Sequence, residues 1–314
     1  MNMPSEQHTL RYRQFLAPRY WLTWIFLGWM RLAAILPYPW QINIGKYFGR
    51  IGFHVAQKTR HTVTKNIETC FPELSEIEKH HLLKKHFEAV GAAFSEMGLG
   101  WFSSTNRLLK LVKVEGLEHV EHAQKKGKGI IILAAHFTTL ETSTSVLGEH
   151  FPGMKSIYRP QPNAMINALI YRGRRRQVEE QIPSDNIRAM VRTLRNNGSV
   201  CYLADLANKG SNSELIPFFG EPAITTTTVS KLAKITGATV LTYFFRRLPG
   251  KKGYVANIGS PLDDFPTDDA VADTSLLVKC LEDYIRLAPE QYMWTYRRFK
   301  GRPDSYPDIY RPEL

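Results

Sequence analysis

Between Gly129 and Ala135 the chain reads Gly-Ile-Ile-Ile-Leu-Ala-Ala, without one charged or hydrogen-bonding side chain, and then changes to His136-Phe-Thr-Thr-Leu-Glu141. A short apolar run of this kind reads as a buried strand, which needs packing partners around it. Thr138 or Thr139 offers an N-cap for a following helix. His136 then stands at the C-terminal end of the strand, and Glu141 folds back from the first helical turn. Inside one regular element the two could not meet. On a helix five positions separate them by about 140°, at about 100° per residue, and on a strand an odd spacing sends them to opposite faces. A bend brings them together, and open α/β sheets bind ligands at that edge. A second reading stays open: Thr138-x-x-Glu141 has the form of a capping box, and a lone histidine at a strand end is ordinarily structural.

The rest of the chain supplies the layers. From about Leu111, strand candidates at Val112–Val114, Gly129–Leu133, Lys155–Tyr158, Ser199–Leu203, Val240–Phe245 and Tyr254–Ile258 alternate with helical candidates around Asn163–Arg175, Ile187–Asn196 and Thr228–Thr236. This alternation predicts an α/β fold with a mixed, largely parallel sheet flanked by helices. Gln41 to about Lys110 reads as mostly helical. Ser75-x-x-Glu78 forms a capping box there, followed by Phe87, Val90, Phe94 and Met97 at helical spacing, a pattern expected of core. No linker-like stretch divides the chain after residue 41, so the expected organisation is an N-terminal segment over 1–40 and one domain over 41–314, helical at 41–110 with an α/β core at 111–303.

The N-terminal segment is strongly apolar. Tyr20-Trp-Leu-Thr-Trp-Ile-Phe-Leu-Gly-Trp-Met30 is followed, after Arg31, by Leu32-Ala-Ala-Ile-Leu36 and stops at Pro37-Tyr-Pro39. Roughly 17 residues of helix at ~1.5 Å each give about 25 Å, short of a ~30 Å hydrocarbon core. The tryptophans, with Arg11, Arg13 and Arg19 before and Lys46, Arg50, Lys58 and Arg60 after, suit a helix anchored at an anionic leaflet. A buried core helix is the alternative. The expectation is membrane association, with a span as its stronger form.

The charge balance points the same way. Lys and Arg number 41 against 29 Asp and Glu, a net +12, which favours an anionic partner such as phosphate-bearing lipid, a membrane surface, nucleic acid or an acidic protein. Cys70, Cys201 and Cys280 are widely spaced and odd in number, as expected of a reducing compartment. There is no Gly-x-Ser-x-Gly elbow, Walker loop, Gly-x-Gly-x-x-Gly or His-Glu-x-x-His, which argues against serine hydrolases, NTPases, dinucleotide oxidoreductases and zinc proteases. A His–carboxylate couple with no protein nucleophile beside it suits direct transfer, the histidine deprotonating a substrate hydroxyl and the glutamate fixing its tautomer.

Other segments bear on binding. Tyr158-Arg-Pro160 places Arg159 after a strand candidate, and Arg172, Arg174, Arg175 and Arg176 form either a phosphate grip or a solvated helix face. Asp205 closes Cys201-Tyr-Leu-Ala-Asp205. Phe218-Phe-Gly220 with Ala223-Ile-Thr-Thr-Thr-Thr228 reads as a loop entering a helix. Arg297, Arg298, Lys300 and Arg302 are interleaved with aromatics between Pro289 and Pro303, as phosphate headgroups or nucleic acid would require.

Taken in order, the His136-x4-Glu141 pair, Tyr158-Arg-Pro160, Phe218-Phe-Gly220 with its threonines and the Pro289–Pro303 block resemble the lipid A late acyltransferases. These bacterial inner-membrane enzymes place a secondary acyl chain on a Kdo-bearing lipid A precursor. Pro18-Arg-Tyr-Trp-Leu-Thr-Trp24, Leu36-Pro-Tyr-Pro39 and Cys70-Phe-Pro-Glu73 are most similar to the lauroyltransferase branch, and the likeness runs from about residue 17 to 303. It implies an acyltransferase domain, an acyl carrier protein thioester as donor and a 3-hydroxyacyl hydroxyl as acceptor. It further implies His136 as general base with Glu141 as its partner, Arg159 and Asp205 shaping the site, and Arg297 and Arg298 holding substrate. No metal or cofactor and no nucleic acid are implied, and the catalytic body would face the cytoplasm at the inner membrane. One departure stands out: the family often has Asp-x-Asp where this chain has Asp205-Leu-Ala207. A glycerol-phosphate-type phospholipid acyltransferase and a non-catalytic, membrane-bound polyanion-binding protein are the rival readings.

Overall fold

The computed structural model describes residues 15–161, 163–175, 177–207 and 210–311. Arg11, Arg13 and Arg176 lie outside the described residues. The apolar run forms β2 (Ile130–Ala134), every residue of it buried. The other strands are β1 (Val112–Glu115), β3 (Lys155–Tyr158), β4 (Glu180–Pro183), β5 (Ser199–Leu203), β6 (Ser213–Phe218), β7 (Glu221–Thr226), β8 (Thr239–Arg247) and β9 (Tyr254–Ile258). Seven of them make one sheet in the order β1-β9-β8-β2-β5-β3-β4, with β2 at its centre. Every pairing is parallel except β8 with β9, so the sheet is mixed and largely parallel, as the alternation predicts.

Helices cover both faces. Ile130, Ile132 and Ala134 of β2 point into a core shared with α2 (Tyr38–Val55), α4 (Glu76–Phe102), α6 (Leu117–Lys125) and α7 (Leu140–His150). Ile131 and Leu133 point the other way, toward α9 (Ile187–Arg195), α10 (Thr228–Thr236) and α11 (Ala270–Leu287). This period-2 alternation gives each face of the strand its own apolar layer. The helical set is completed by α1 (Trp21–Ala33), α3 (Gln57–Cys70), α5 (Thr105–Leu109) and α8 (Ala164–Arg174). The predicted capping box at the start of α4 forms: Ser75 Oγ accepts from Glu78 N, and Glu78 accepts from Ser75 N at 2.8 Å. Phe94, expected in the core, is exposed and meets Phe26 of α1 edge-on at 5.3 Å. Where α2 crosses α4 the backbones nearly touch: a Cβ on Gly49 would sit 2.1 Å from Phe87 O, and one on Gly91 2.2 Å from Gly45 O.

Two elements differ from the sequence reading. Strand β4 is too short and polar to show an apolar period. The Phe218–Thr226 stretch, read as a loop, is instead the second half of an antiparallel β6–β7 hairpin. Its turn holds Phe219 at φ 52° and Gly220 at φ 82°. Asn-Gly is the usual signal for such a turn, and Phe-Gly hides it. Phe219 N donates to Glu282 Oε1 at 2.6 Å, tying the turn to α11.

At the N-terminus the apolar stretch breaks into α1 and α2, with Pro37 as the N-cap of α2. At ~1.5 Å per residue, the 13 residues of α1 reach only about 20 Å. Among the described residues no helix is long and apolar enough to cross a membrane, so the expected span is not found. Nor is the segment a buried core helix: Trp21, Leu22 and Ile25 of α1 and Trp40, Tyr47 and Phe48 of α2 are exposed.

One buried group ties the fold to pH. His86 on α4 is fully enclosed, and its Nδ1–H donates to Glu290 O at 3.0 Å. Burial pushes its pKa down to about 4, more than the carbonyl bond raises it. The unfolded imidazole titrates near 6.5, so on acidification the unfolded chain takes up the proton first. This contribution is therefore complete above about pH 6.5 and is lost as pH falls toward about 4, to a total of about 3 kcal/mol. Urea unfolding at pH 7.5 and pH 5 should show a larger loss of stability in the wild type than in His86→Gln. Equal losses would contradict the assignment.

Candidate active site

Strand β2 ends at Ala134 and the chain turns at His136, while β5, hydrogen-bonded beside it, ends at Leu203 and turns at Asp205. Neighbouring parallel strands thus deliver an imidazole and a carboxylate to the same C-terminal edge. The carboxylate clamps the histidine twice. His136 Nδ1 lies 2.7 Å from Asp205 Oδ1, and His136 N donates to Asp205 Oδ2 at 2.9 Å. The Asp205 side chain is almost wholly buried, whereas that of His136 keeps 17% of its surface open. Burial pushes the Asp205 carboxyl up. The charge on His136, both hydrogen bonds from it and the Arg298 guanidinium outweigh that and hold it below the usual carboxylate range. An ionised carboxylate only accepts, so Nδ1 carries a proton, and in the neutral imidazole Nε2 is then the nitrogen with the lone pair.

The loop bearing His136 is stitched from the other side. Met293 N donates to His136 O at 2.8 Å and Thr138 N donates to Gln291 O at 2.8 Å, around a bridge between Phe137 and Tyr292. Gln291 is buried and fixed in turn, accepting from Arg247 N at 2.7 Å and donating to Arg247 O at 3.0 Å. Tyr292 faces the Asp205 carboxylate, and the Tyr296 ring meets the imidazole edge-on at 5.3 Å.

The structure does not bring Glu141 to the His136 ring. Glu141 sits in the first turn of α7, where Oε2 accepts from Trp101 Nε1 and Arg174 Nε, each at 3.1 Å, and Oε1 accepts from Arg174 Nη2. The close approach of α4 to α7 makes this possible, since a Cβ on Gly100 would lie 2.8 Å from Glu141 O. The capping box is not formed either. Thr139 is the N-cap without a side-chain bond to the helix, its Oγ1 donating instead to Phe245 O at 2.7 Å, and Thr138 Oγ1 has no partner among the described residues. The carboxylate on His136 is therefore that of Asp205, 69 residues away in sequence, a pairing that spacing does not reveal.

The arginines separate by environment. Arg298 is buried, donating to Ile224 O at 2.8 Å and Thr225 Oγ1 at 2.6 Å, with its guanidinium 4.9 Å from the Phe218 ring centre. It forms part of the wall behind Asp205. Arg159 and Arg297 are exposed, the latter over the Tyr310 ring. Of the basic run on α8, Arg174 turns inward to Glu141, while Arg172 and Arg175 are exposed. Beside Asp205 and Arg298 an open cleft is walled by Ala135, Phe244, Leu277 and Leu281. Sequence reasoning missed Trp101, Gln291, Tyr292 and Tyr296. The last two stood in a recognised aromatic block, but nothing in their spacing points at His136.

Comparison with known proteins finds relatives over nearly the whole chain. The family described as "Bacterial lipid A biosynthesis acyltransferase" matches residues 9–301. The chain is 36% identical over 296 residues to a lipid A biosynthesis lauroyltransferase of Escherichia coli K12, covering 94% of this chain and 96% of that one. It is 34% identical over 299 residues to a lipid A biosynthesis palmitoleoyltransferase of the same organism, covering 95% and 97%. A lipid A biosynthesis acyltransferase of Haemophilus influenzae is 34% identical over 301 residues, covering 94% and 96%. An acyltransferase, this chain belongs to the bacterial lipid A biosynthesis acyltransferase family.

Proposed function

We propose that the protein transfers a fatty acyl chain, lauroyl or similar in length, from acyl carrier protein to the hydroxyl of a 3-hydroxyacyl chain on a Kdo-lipid A precursor. His136 is the general base. The substrate hydroxyl gives its proton to Nε2 as its oxygen attacks the thioester carbonyl. The C–S bond then breaks, and the imidazolium returns the proton to the departing thiolate. Asp205 holds the tautomer and balances the imidazolium, the role that spacing gave to Glu141. Glu141, locked to Arg174 and Trp101, is a positioning residue that fixes the turn into α7 and so the His136 loop. The observation that carries this reading is the two-point clamp of Asp205 on a histidine whose other nitrogen has no hydrogen-bond partner among the described residues.

The cleft beside Asp205 suits an apolar chain, and the exposed Arg159 and Arg297 suit the phosphates of the acceptor. Exposed aromatic and aliphatic side chains on α1 and α2, with Arg19 and Lys46 nearby in sequence, support docking on the cytoplasmic leaflet of the inner membrane, in the plane of the interface. The free cysteines fit that compartment. Purified protein incubated with lauroyl carrier protein and tetra-acylated Kdo-lipid A precursor should add one acyl chain, read by mass. Acylation of glycerol phosphate in place of the glycolipid would reject this acceptor in favour of a phospholipid pathway.

A further inference from the structure

Helix α9 carries three arginines that the catalytic reading does not use. Met190, Thr193 and Leu194 face the core, while Arg188, Arg192 and Arg195, spaced i, i+4, i+7, form one exposed stripe. None of the three has a hydrogen-bonded or ion-paired partner among the described residues. The acid nearest in sequence, Asp185, lies before the helix and is exposed. On the neighbouring α10, Lys231 and Lys234 are already held by Asn212 and Asp268.

Helix stability accounts for only part of this arrangement: Arg192 and Arg195 lie in the last turn, where a cation favours the helix dipole. Arg188 lies in the first turn, where a cation opposes the helix dipole, and like charges four apart repel. Position offers another account. α9 runs directly into β5, the strand that ends at Asp205, so Arg188 stands at the catalytic edge of the sheet. The stripe also lies on the sheet face opposite α2 and α4, away from the exposed apolar side chains of α1 and α2. A bilayer under α1 and α2 would not reach it, whereas a soluble polyanion would.

We propose that the Arg188–Arg192–Arg195 face of α9 is the docking surface for the acidic carrier protein that presents the acyl thioester. This rests on the carrier being the donor. An acidic helix laid along α9 meets three guanidinium groups suited to carboxylates and sets its thioester arm at the edge where His136 waits. The apolar face and the docking face are then on opposite sides of the sheet, so lipid acceptor and protein donor reach the same edge without competing for surface.

The test is charge reversal of all three arginines, Arg188→Glu, Arg192→Glu and Arg195→Glu, with an Arg→Gln triple as a milder version. Binding of fluorescently labelled acyl carrier protein is read by anisotropy, and transfer is measured with lauroyl carrier protein and with lauroyl-pantetheine, a donor without protein. The expected result is carrier binding weaker by about 10- to 100-fold, a matching fall in kcat/KM for lauroyl carrier protein and a flatter salt dependence, with lauroyl-pantetheine turnover unchanged. Unaltered carrier binding in a folded variant overturns the proposal, as does an equal fall with both donors. Loss of binding to anionic vesicles with carrier kinetics intact would assign the stripe to the membrane instead. If the wild type neither binds the carrier nor uses its thioester but does use lauroyl-pantetheine, the donor reading itself has failed.

Discussion

Replacing His136 by alanine is expected to leave the protein folded and to lower acyl transfer by about 100- to 10,000-fold, the usual contribution of a positioned general base. The side chain is a partly open group at a sheet edge, so its loss removes chemistry and little packing. Asp205→Asn should fall in the same range for a different reason. An amide at that position presents an N–H to Nδ1 as readily as an oxygen and so favours the wrong imidazole tautomer. Glu141→Gln should act more mildly on rate and more on stability, because the carboxylate it removes neutralises Arg174 and does not touch the imidazole. Single-turnover rates on the three purified variants, with circular dichroism as a fold control, give the order. A folded His136→Ala protein transferring at the wild-type rate would end the mechanism. A Glu141→Gln defect in rate far exceeding that of Asp205→Asn would return the orienting role to Glu141.

A comparably large effect, on stability this time, is expected at Glu96. Its carboxylate accepts from Arg247 Nε at 2.6 Å, from Arg247 Nη2 and from Tyr254 OH at 2.6 Å, and both charged side chains are almost entirely buried. Removing one member of such a pair leaves an uncompensated charge in the interior, at a cost of about 3–5 kcal/mol. Glu96→Ala should therefore unfold at markedly lower urea concentration than the wild type. Replacing both members, as in Glu96→Leu with Arg247→Met, should recover much of the loss, since an apolar pair of similar volume avoids burying charge. A Glu96→Ala midpoint equal to that of the wild type would show that the ion pair contributes nothing. Because Arg247 also holds Gln291 through its backbone, the single variant should in addition lose activity beyond what its unfolded fraction explains.

The legible parts of this molecule are those fixed by local pattern. The unbroken apolar run at residues 130–134 reads as a covered strand, and β2 is one; the endpoints expected for β3, β5 and β9 also match the strands that form. The site was half legible. The position of His136 at a strand end follows from the abrupt polarity change after Ala135, but its true partner does not, because β2 and β5 become neighbours only through sheet order. A carboxylate five residues away competes successfully on paper with one 69 away. The hairpin was hidden by Phe219 in a positive-φ position usually given to asparagine or glycine. Arg174 was visible as one of a basic run, yet its inward turn depends on Trp101 and on the tight packing of α4 against α7. Exposure of α1 and α2 was equally beyond the sequence, because apolar side chains look alike whether they meet protein or lipid.

The stitching of the His136 loop by residues 291–293 has a consequence for how the enzyme comes into being. Every strand of the central sheet is complete by Ile258, well before those residues leave the ribosome. A nascent chain can therefore assemble its sheet and bring His136 beside Asp205 while the loop still lacks its second row of hydrogen bonds. The second row of hydrogen bonds on the His136 loop is therefore added to an architecture that already stands.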